Sequence, residues 1–202
     1  MTFSKHITKE EINELPLQKY EGKIVLVTDA DKQEEVFEEI KDQEIVGFDT
    51  EARPSFKRGI RYDTSLLQLA VPNKTYIIRL NYTGLSPAFT DFFANPQIKK
   101  VGISIKDDLK DLRKLCAKHH LQFTSENVLD LNDAAKRLDV NHAGVRRLTA
   151  IFLGFRVSKA QQTSNWENPK LTEPQLRYAA TDAWVCLEIY RKLESTGYVN
   201  SQ

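Results

Sequence analysis

The chain predicts an α/β fold, a mixed β-sheet flanked by α-helices. Two observations lead there. Up to residue 80 the apolar residues come in short runs rich in Ile, Val and Leu, and the last two runs are joined by the turn Pro72-Asn73-Lys74. From Pro87 onward the pattern alternates helix, strand, helix, strand, and three helices close the chain. An antiparallel group followed by such an alternation builds a sheet of mixed direction with helices packed on its faces.

Taken in order, Thr8-Lys9-Glu10-Glu11 fits a capping box and starts a short helix that Pro16 limits. Residues 1–22 read as an N-terminal arm packed on a main domain of residues 23–202. Ile24-Val25-Leu26-Val27 is a short strand. Residues 31–41 form a charged amphipathic helix with Val36, Phe37 and Ile40 turned inward. The strand Ile45 to Glu51 follows, then a polar loop, Ala52 to Asp63, that carries Arg53, Lys57, Arg58 and Arg61. Ser65–Val71 and Thr75–Leu80 form a hairpin expected to join the first strands as one antiparallel group. Beyond it lie a helix to about Ala94, a strand over Lys100–Ser104, a helix over Lys106–Lys118 and a strand over Asn127–Leu131. Helices from about Asp133 and over Gly144–Phe152 come next. The last and longest follows Thr172, an N-cap with Pro174 early enough to be tolerated.

At 202 residues the chain is long enough to bury a full core. Its composition, 41% hydrophobic and 28% charged, is that of a globular protein rather than a disordered one. There is no stretch of 18 apolar residues, and the first residues lack the apolar centre of a signal peptide. A cytoplasmic protein with no membrane partner is expected. Cys116 and Cys186 fall in helical patterns and suggest neither a disulfide framework nor zinc spacing. His119, His120 and His142 show no metal-ligand spacing either. A net charge of +1 does not mark a simple nucleic-acid binder, which is usually strongly basic. It does not exclude an enzyme whose carboxylates are neutralised by metal ions.

The carboxylates on apolar faces carry the functional reading. Side chains alternate along a strand with a period of two, so Asp49 and Glu51 point the same way at the end of a buried strand. Two like charges there repel and lose hydration, and a hard divalent cation would relieve both costs. On the last helix Tyr178, Asp182, Val185, Ile189 and Leu193 share one stripe, which turns Asp182 toward the core. Tyr178, four residues earlier, reaches the same place. On the Lys106 helix, Asp108 shares a face with Leu112 and Leu115, whereas Asp107 lies with Asp111, Lys114 and Lys118. Each acid also has a local explanation: solubility at a strand end, an arginine partner, or the dipole of a helix N-terminus. One hypothesis covers all of them together: Asp49, Glu51, Asp108 and Asp182 converge on two divalent ions roughly 3.5–4 Å apart, the arrangement used for in-line phosphoryl displacement.

Three segments in this order, Asp49-Thr-Glu51, Val101-Gly102-Ile-Ser-Ile-Lys-Asp-Asp108-Leu109 and Tyr178-Ala-Ala-Thr-Asp182-Ala183, resemble the exonuclease motifs of the DEDDy 3′–5′ exonucleases. The likeness is to ribonuclease D and the Werner syndrome exonuclease domain, and it runs from about residue 24 to 194. It includes Ser65-Leu-Leu-Gln-Leu-Ala70 and Ser164-Asn165-Trp166. Tyr178 places the chain on the tyrosine branch, since the residue five before Asp182, where the other branch has histidine, is Arg177.

This resemblance implies a ribonuclease H-like mixed sheet and a 3′–5′ exonuclease releasing nucleoside 5′-monophosphates. It implies that Asp49 bridges two Mg²⁺ or Mn²⁺ ions and that Glu51 and Asp182 complete the shell of one. Asp108 would hold the other largely through water, and Tyr178 would orient the attacking water. Nucleic acid, through DNA or RNA 3′ ends, is the implied partner. The helical domains of ribonuclease D and any helicase are expected to be absent. Contacts to substrate phosphates could come from Arg53, Lys57, Arg58, Arg61, Arg146 or Arg147, and Trp166 either stacks on a base or packs under the last helix. Two other readings are an inert nucleic-acid-binding or protein-interaction module of the same fold, and a nucleotide phosphohydrolase with a similar metal pair.

Overall fold

The computed structural model describes residues 3–140 and 144–199, so His142 lies outside the described residues. The elements in chain order are α1 (Lys9–Glu14), β1 (Lys23–Val27), α2 (Ala30–Ile40), β2 (Ile45–Ala52), β3 (Thr64–Val71) and β4 (Lys74–Arg79). They continue with α3 (Leu80–Thr83), α4 (Pro87–Ala94), β5 (Lys99–Gly102), α5 (Lys106–Lys118), β6 (Val128–Asp130), α6 (Leu131–Lys136), α7 (Val145–Leu153) and α8 (Glu173–Ser195). The strands form one sheet in the order β1-β4-β3-β2-β5-β6. β3 pairs antiparallel with β2 and β4, and the β1–β4, β2–β5 and β5–β6 pairs are parallel. β3 alone therefore runs against the rest.

One expectation needs correction here. β1 does not extend the antiparallel group; it runs parallel to β4 and is separated from β2 by two strands. An apolar run such as Ile24–Val27 specifies a strand but not its partner. Here the α2 crossover carries the chain past β4 and β3 to the middle of the sheet. The short helix α3 takes Leu80 out of the strand expected to end there, and β5 stops at Gly102 rather than Ser104.

The period of two sorts the sheet's residues onto two faces. Val46, Phe48, Leu67, Leu69, Tyr76 and Ile78 pack with Phe37 of α2, Phe89, Phe92 and Phe93 of α4, and Leu112 and Leu115 of α5. The opposite face is covered mainly by α8, whose Ala183 and Leu187 cluster with Ala70, and whose Cys186, Ile189 and Tyr190 cluster with Val101 and Leu131. Among the described residues no helix is long and apolar enough to cross a membrane. Cys116 and Cys186 are free and buried.

Gly47 sets the distance between β2 and α8. A Cβ there would lie 2.4 Å from the Ala183 carbonyl oxygen and 2.9 Å from the Leu187 backbone nitrogen, with backbone on both sides and no room to yield. Gly47→Ala is expected to lift α8 from the sheet and destabilise the protein by about 3 kcal/mol, at the upper end for an overpacked core. Urea unfolding checks this; a loss under about 1 kcal/mol would show that α8 can shift freely.

The first residues pack on the start of α8 and on the segment after α7. Thr8 and Glu11 form the capping box of α1. Arg156 exchanges backbone hydrogen bonds with Pro16 and Gln18 and donates from Nε to the Leu15 carbonyl. The Tyr20 amide donates to Thr181 Oγ1 at 3.0 Å, and Arg177 donates to the carbonyls of Tyr20 and Gly22.

Candidate active site

The site lies at the carboxyl ends of β2 and β5, in the crevice where sheets of this kind commonly bind ligands. Asp49 and Glu51 project from β2 toward α8, and Asp182 meets them from the third turn of that helix. Carboxylate oxygens of all three lie within 4.8 Å of one another. Glu51 is the last regular pair of β2 with β3; the register shifts between Glu51 and Ala52. The bulge ends regular pairing just past Glu51, whose side chain shares a face with Asp49 by the strand's period of two.

Asp108 comes from the other side. Thr50 points opposite to Asp49, toward α5, and its hydroxyl donates a short hydrogen bond to Asp108 Oδ1. Asp108 is half-buried, whereas Asp107 is exposed. The turn that delivers α5 is held by Asp130, whose carboxylate accepts from the amides of Ser104 (3.0 Å), Ile105 (3.2 Å) and Asn132 (2.9 Å). Ser104 itself takes φ +63°, a left-handed conformation unusual for serine and found preferentially near functional sites. Asp130 and Thr50 had no distinguishing sequence pattern: one looked like an ordinary strand residue, the other like the spacer between two acids.

The electrostatics follow from four largely enclosed acids brought close together. Burial, then the charges of Asp182, Asp108 and Glu51, hold the Asp49 carboxyl well above the usual carboxylate range. Burial pushes Glu51 up to about 9, with Asp182 and Asp108 adding to it. Burial raises Asp182 to about 7, against the opposing pulls of the Tyr178 hydroxyl and the Lys159 ammonium. Asp108 is raised to about 6 by burial, offset by the Thr50 hydrogen bond. Tyr178 is pushed above the ordinary phenol value by burial and by the Asp182 and Glu51 charges, so its O–H stays intact at neutral pH. The cluster thus carries more negative charge than Lys159 can offset. This donor set, oxygen only and over-supplied with negative charge, fits hard divalent cations and not soft ones.

The substrate-contact candidates fare differently. Arg53 is exposed, pairs with Glu167 at 3.2 Å and lies over the Tyr62 ring. Arg58 and Arg61 sit in the exposed 52–63 loop. Arg146 is half-buried on α7 and donates to Asn13 of the arm. Trp166 is fully buried, 0% exposed, and offers no face to a base. The alternative of packing under α8 is the one observed. Lys159, in the irregular segment before α8, was not singled out by any pattern, yet it is the cation acting on Asp182. A cavity of about 250 Å³ opens beside Tyr178 and Asp182, walled by Gln18 and Lys19 of the arm, by Ser158 and Gln161, and by Arg177.

A family profile described as 3′–5′ exonuclease matches residues 24–197. The chain is 32% identical over 194 residues to the mouse "Bifunctional 3′-5′ exonuclease/ATP-dependent helicase WRN", covering 91% of this chain and 13% of that protein. The chain thus spans a small part of that relative's length. The crystal structure of the Aedes aegypti Nibbler EXO domain superposes with a TM-score of 0.75 at 26% identity, over 89% of this chain and 91% of that one. Escherichia coli RNase D, described as an exoribonuclease involved in structured RNA processing, shares the fold with a TM-score of 0.72 at 19% identity, over 86% of this chain and 46% of that one. The structural neighbours place the mixed sheet in the ribonuclease H-like exonuclease fold.

Proposed function

The chain belongs to the 3′–5′ exonuclease family, and from that premise we propose that it hydrolyses phosphodiester bonds from the 3′ end of single-stranded DNA or RNA, releasing nucleoside 5′-monophosphates by a two-metal mechanism of the DEDDy type. The observation that carries the reading is the meeting of Asp49, Glu51 and Asp182 within 4.8 Å. These three come from a strand and a helix more than a hundred residues apart, and their mutual repulsion has no purpose in the fold itself.

Asp49, Glu51 and Asp182 would hold divalent cations on the α8 side of β2, and Asp108 would contribute from the α5 side. Mg²⁺ or Mn²⁺ held there supplies Lewis-acid stabilisation of the phosphoryl oxygens and a more acidic water. Tyr178, which keeps its proton, orients a water by hydrogen bonding and does not act as a base. Thr50 fixes the Asp108 carboxylate in one rotamer, and Asp130 fixes the turn from which α5 departs. Lys159 counters part of the negative charge near Asp182 and would be available to a substrate phosphate.

The direct test incubates the protein with 3′- and 5′-labelled single-stranded DNA and RNA, with Mg²⁺ or Mn²⁺ and with EDTA. A ladder shortening from the 3′ end, abolished by EDTA, is expected. A folded protein that cleaves neither oligonucleotide with either metal would favour the inert module. Of the two neighbouring acids, Asp108→Asn is expected to lower kcat about 100-fold, whereas Asp107→Asn changes it less than about twofold. The reverse order in steady-state kinetics would mean that the α5 face has been assigned to the wrong acid.

A further inference from the structure

Among the described residues Trp166 is the largest fully buried side chain. Across β2, β3 and β4 the register pairs Glu51 with Leu66 and Leu66 with Arg79, so these three residues form a row on the α8 face. Trp166 belongs to the apolar cluster over that row, with Leu66, Ile77, Ala179 and Ala180. Its ring stands 6.0 Å from that of Tyr178, tilted by 31°. At one end of the row Arg79, 1% exposed, donates to the backbone carbonyls of Trp166 (3.4 Å), Asn168 (2.6 Å) and Pro169 (2.8 Å), and its guanidinium lies 4.1 Å from the Tyr82 ring centroid. A buried arginine that spends its donors on three carbonyls of one loop holds that loop in a single conformation. At the other end of the row Glu51 pairs with Leu66, over which Trp166 packs, and the buried indole N–H there favours the charged form of the Glu51 carboxylate. That N–H makes no regular hydrogen bond among the described residues. A buried donor is expensive to leave unpaired, and an acceptor beside it that gains charge on becoming a ligand is its natural partner.

We propose that Trp166 is a positioning residue: its indole N–H orients the Glu51 carboxylate for metal binding while its ring braces Tyr178, and Arg79 clamps the loop that carries it. The proposal rests on the exonuclease reading for its kinetic consequences but not for its binding consequences. It also replaces base stacking as the role of this side chain.

Mn²⁺ binding is the first readout, measured without substrate by calorimetry and by the paramagnetic resonance signal of the free ion. Trp166→Phe keeps an aromatic ring and removes the N–H. It is expected to weaken Mn²⁺ binding about 10- to 100-fold and to lower kcat by a similar factor, with KM for a single-stranded oligonucleotide unchanged within about twofold. In the Trp184→Phe protein, where Trp166 is the sole tryptophan, Mn²⁺ should quench the emission with the midpoint seen by calorimetry. Should Trp166→Phe fail to fold, benzothienylalanine at the same position preserves the bicyclic shape without the N–H and carries the same expectations. Wild-type Mn²⁺ affinity and kcat in a folded variant, with any loss confined to Tm, would overturn the proposal by reducing Trp166 to a core residue. Wild-type protein that binds Mn²⁺ but degrades no oligonucleotide would end the exonuclease reading and leave the binding comparison decisive for Trp166. Wild-type protein that binds no Mn²⁺ overturns both.

Discussion

Asp49→Asn is expected to abolish 3′-end cleavage, lowering kcat by about a thousandfold or more, equivalent to about 4 kcal/mol of lost transition-state stabilisation. The cause is electrostatic: Asp49 lies with Glu51 and Asp182 on the α8 side of β2, and it feels the charge of Asp108 as well. An amide at this position has nearly the same shape but offers one neutral oxygen where an anionic ligand is needed. The fold has little to lose. Asp49 is already held toward its protonated form when no cation is present, so the substitution removes a charge that the surroundings disfavour. The metal-free variant should therefore melt at the wild-type temperature or above it at about pH 8. Residual cleavage within tenfold of wild type would remove Asp49 from the centre of the mechanism. A large drop in Tm would instead mark it as a structural acid. Separating activity from stability in this direction is characteristic of residues kept for chemistry at the expense of the fold.

How far the sequence reveals this arrangement depends on the kind of interaction involved. Periodicity exposes what lies on one element: the helical wheel turned Asp182 inward with Val185 and Ile189, and all three are buried. It likewise separates Asp108 from the exposed Asp107. Interactions between elements leave no such trace. Thr50 occupies the face of β2 opposite its two acidic neighbours, and its bond to Asp108 depends on where α5 lies after a strand and a left-handed turn. Asp130 binds backbone amides, which every sequence supplies equally. The partner of β1 and the burial of Trp166 belong to the same class. An apolar run or an aromatic ring states that it must be covered but not by what. Arg146 adds a further case: its charge suggested a phosphate, and no pattern foretold its bond to the arm residue Asn13.

The metal-free protein is expected to lose stability as pH rises from about 5 to about 8, the opposite of ordinary acid denaturation. The sign follows from four shifts in one direction. Asp108 is raised to about 6, Asp182 to about 7, Glu51 to about 9 and Asp49 well above its usual range, whereas in the unfolded chain such groups titrate near pH 4. Between those limits the folded state binds more protons than the unfolded one. Its stability is therefore fully present below about pH 4 and lost as pH climbs through the folded values. Divalent cations reverse the slope, because they take the place of the protons. Added Mg²⁺ or Mn²⁺ should raise Tm little at about pH 5 and most at about pH 8, and calorimetry in buffers of different ionisation enthalpy should register proton release on binding. The Asp49→Asn, Asp182→Asn double variant should flatten both the pH slope and the metal response. A wild-type Tm in EDTA that holds steady or climbs over this interval would contradict the reading, because charges that do not oppose folding would not need cations between them.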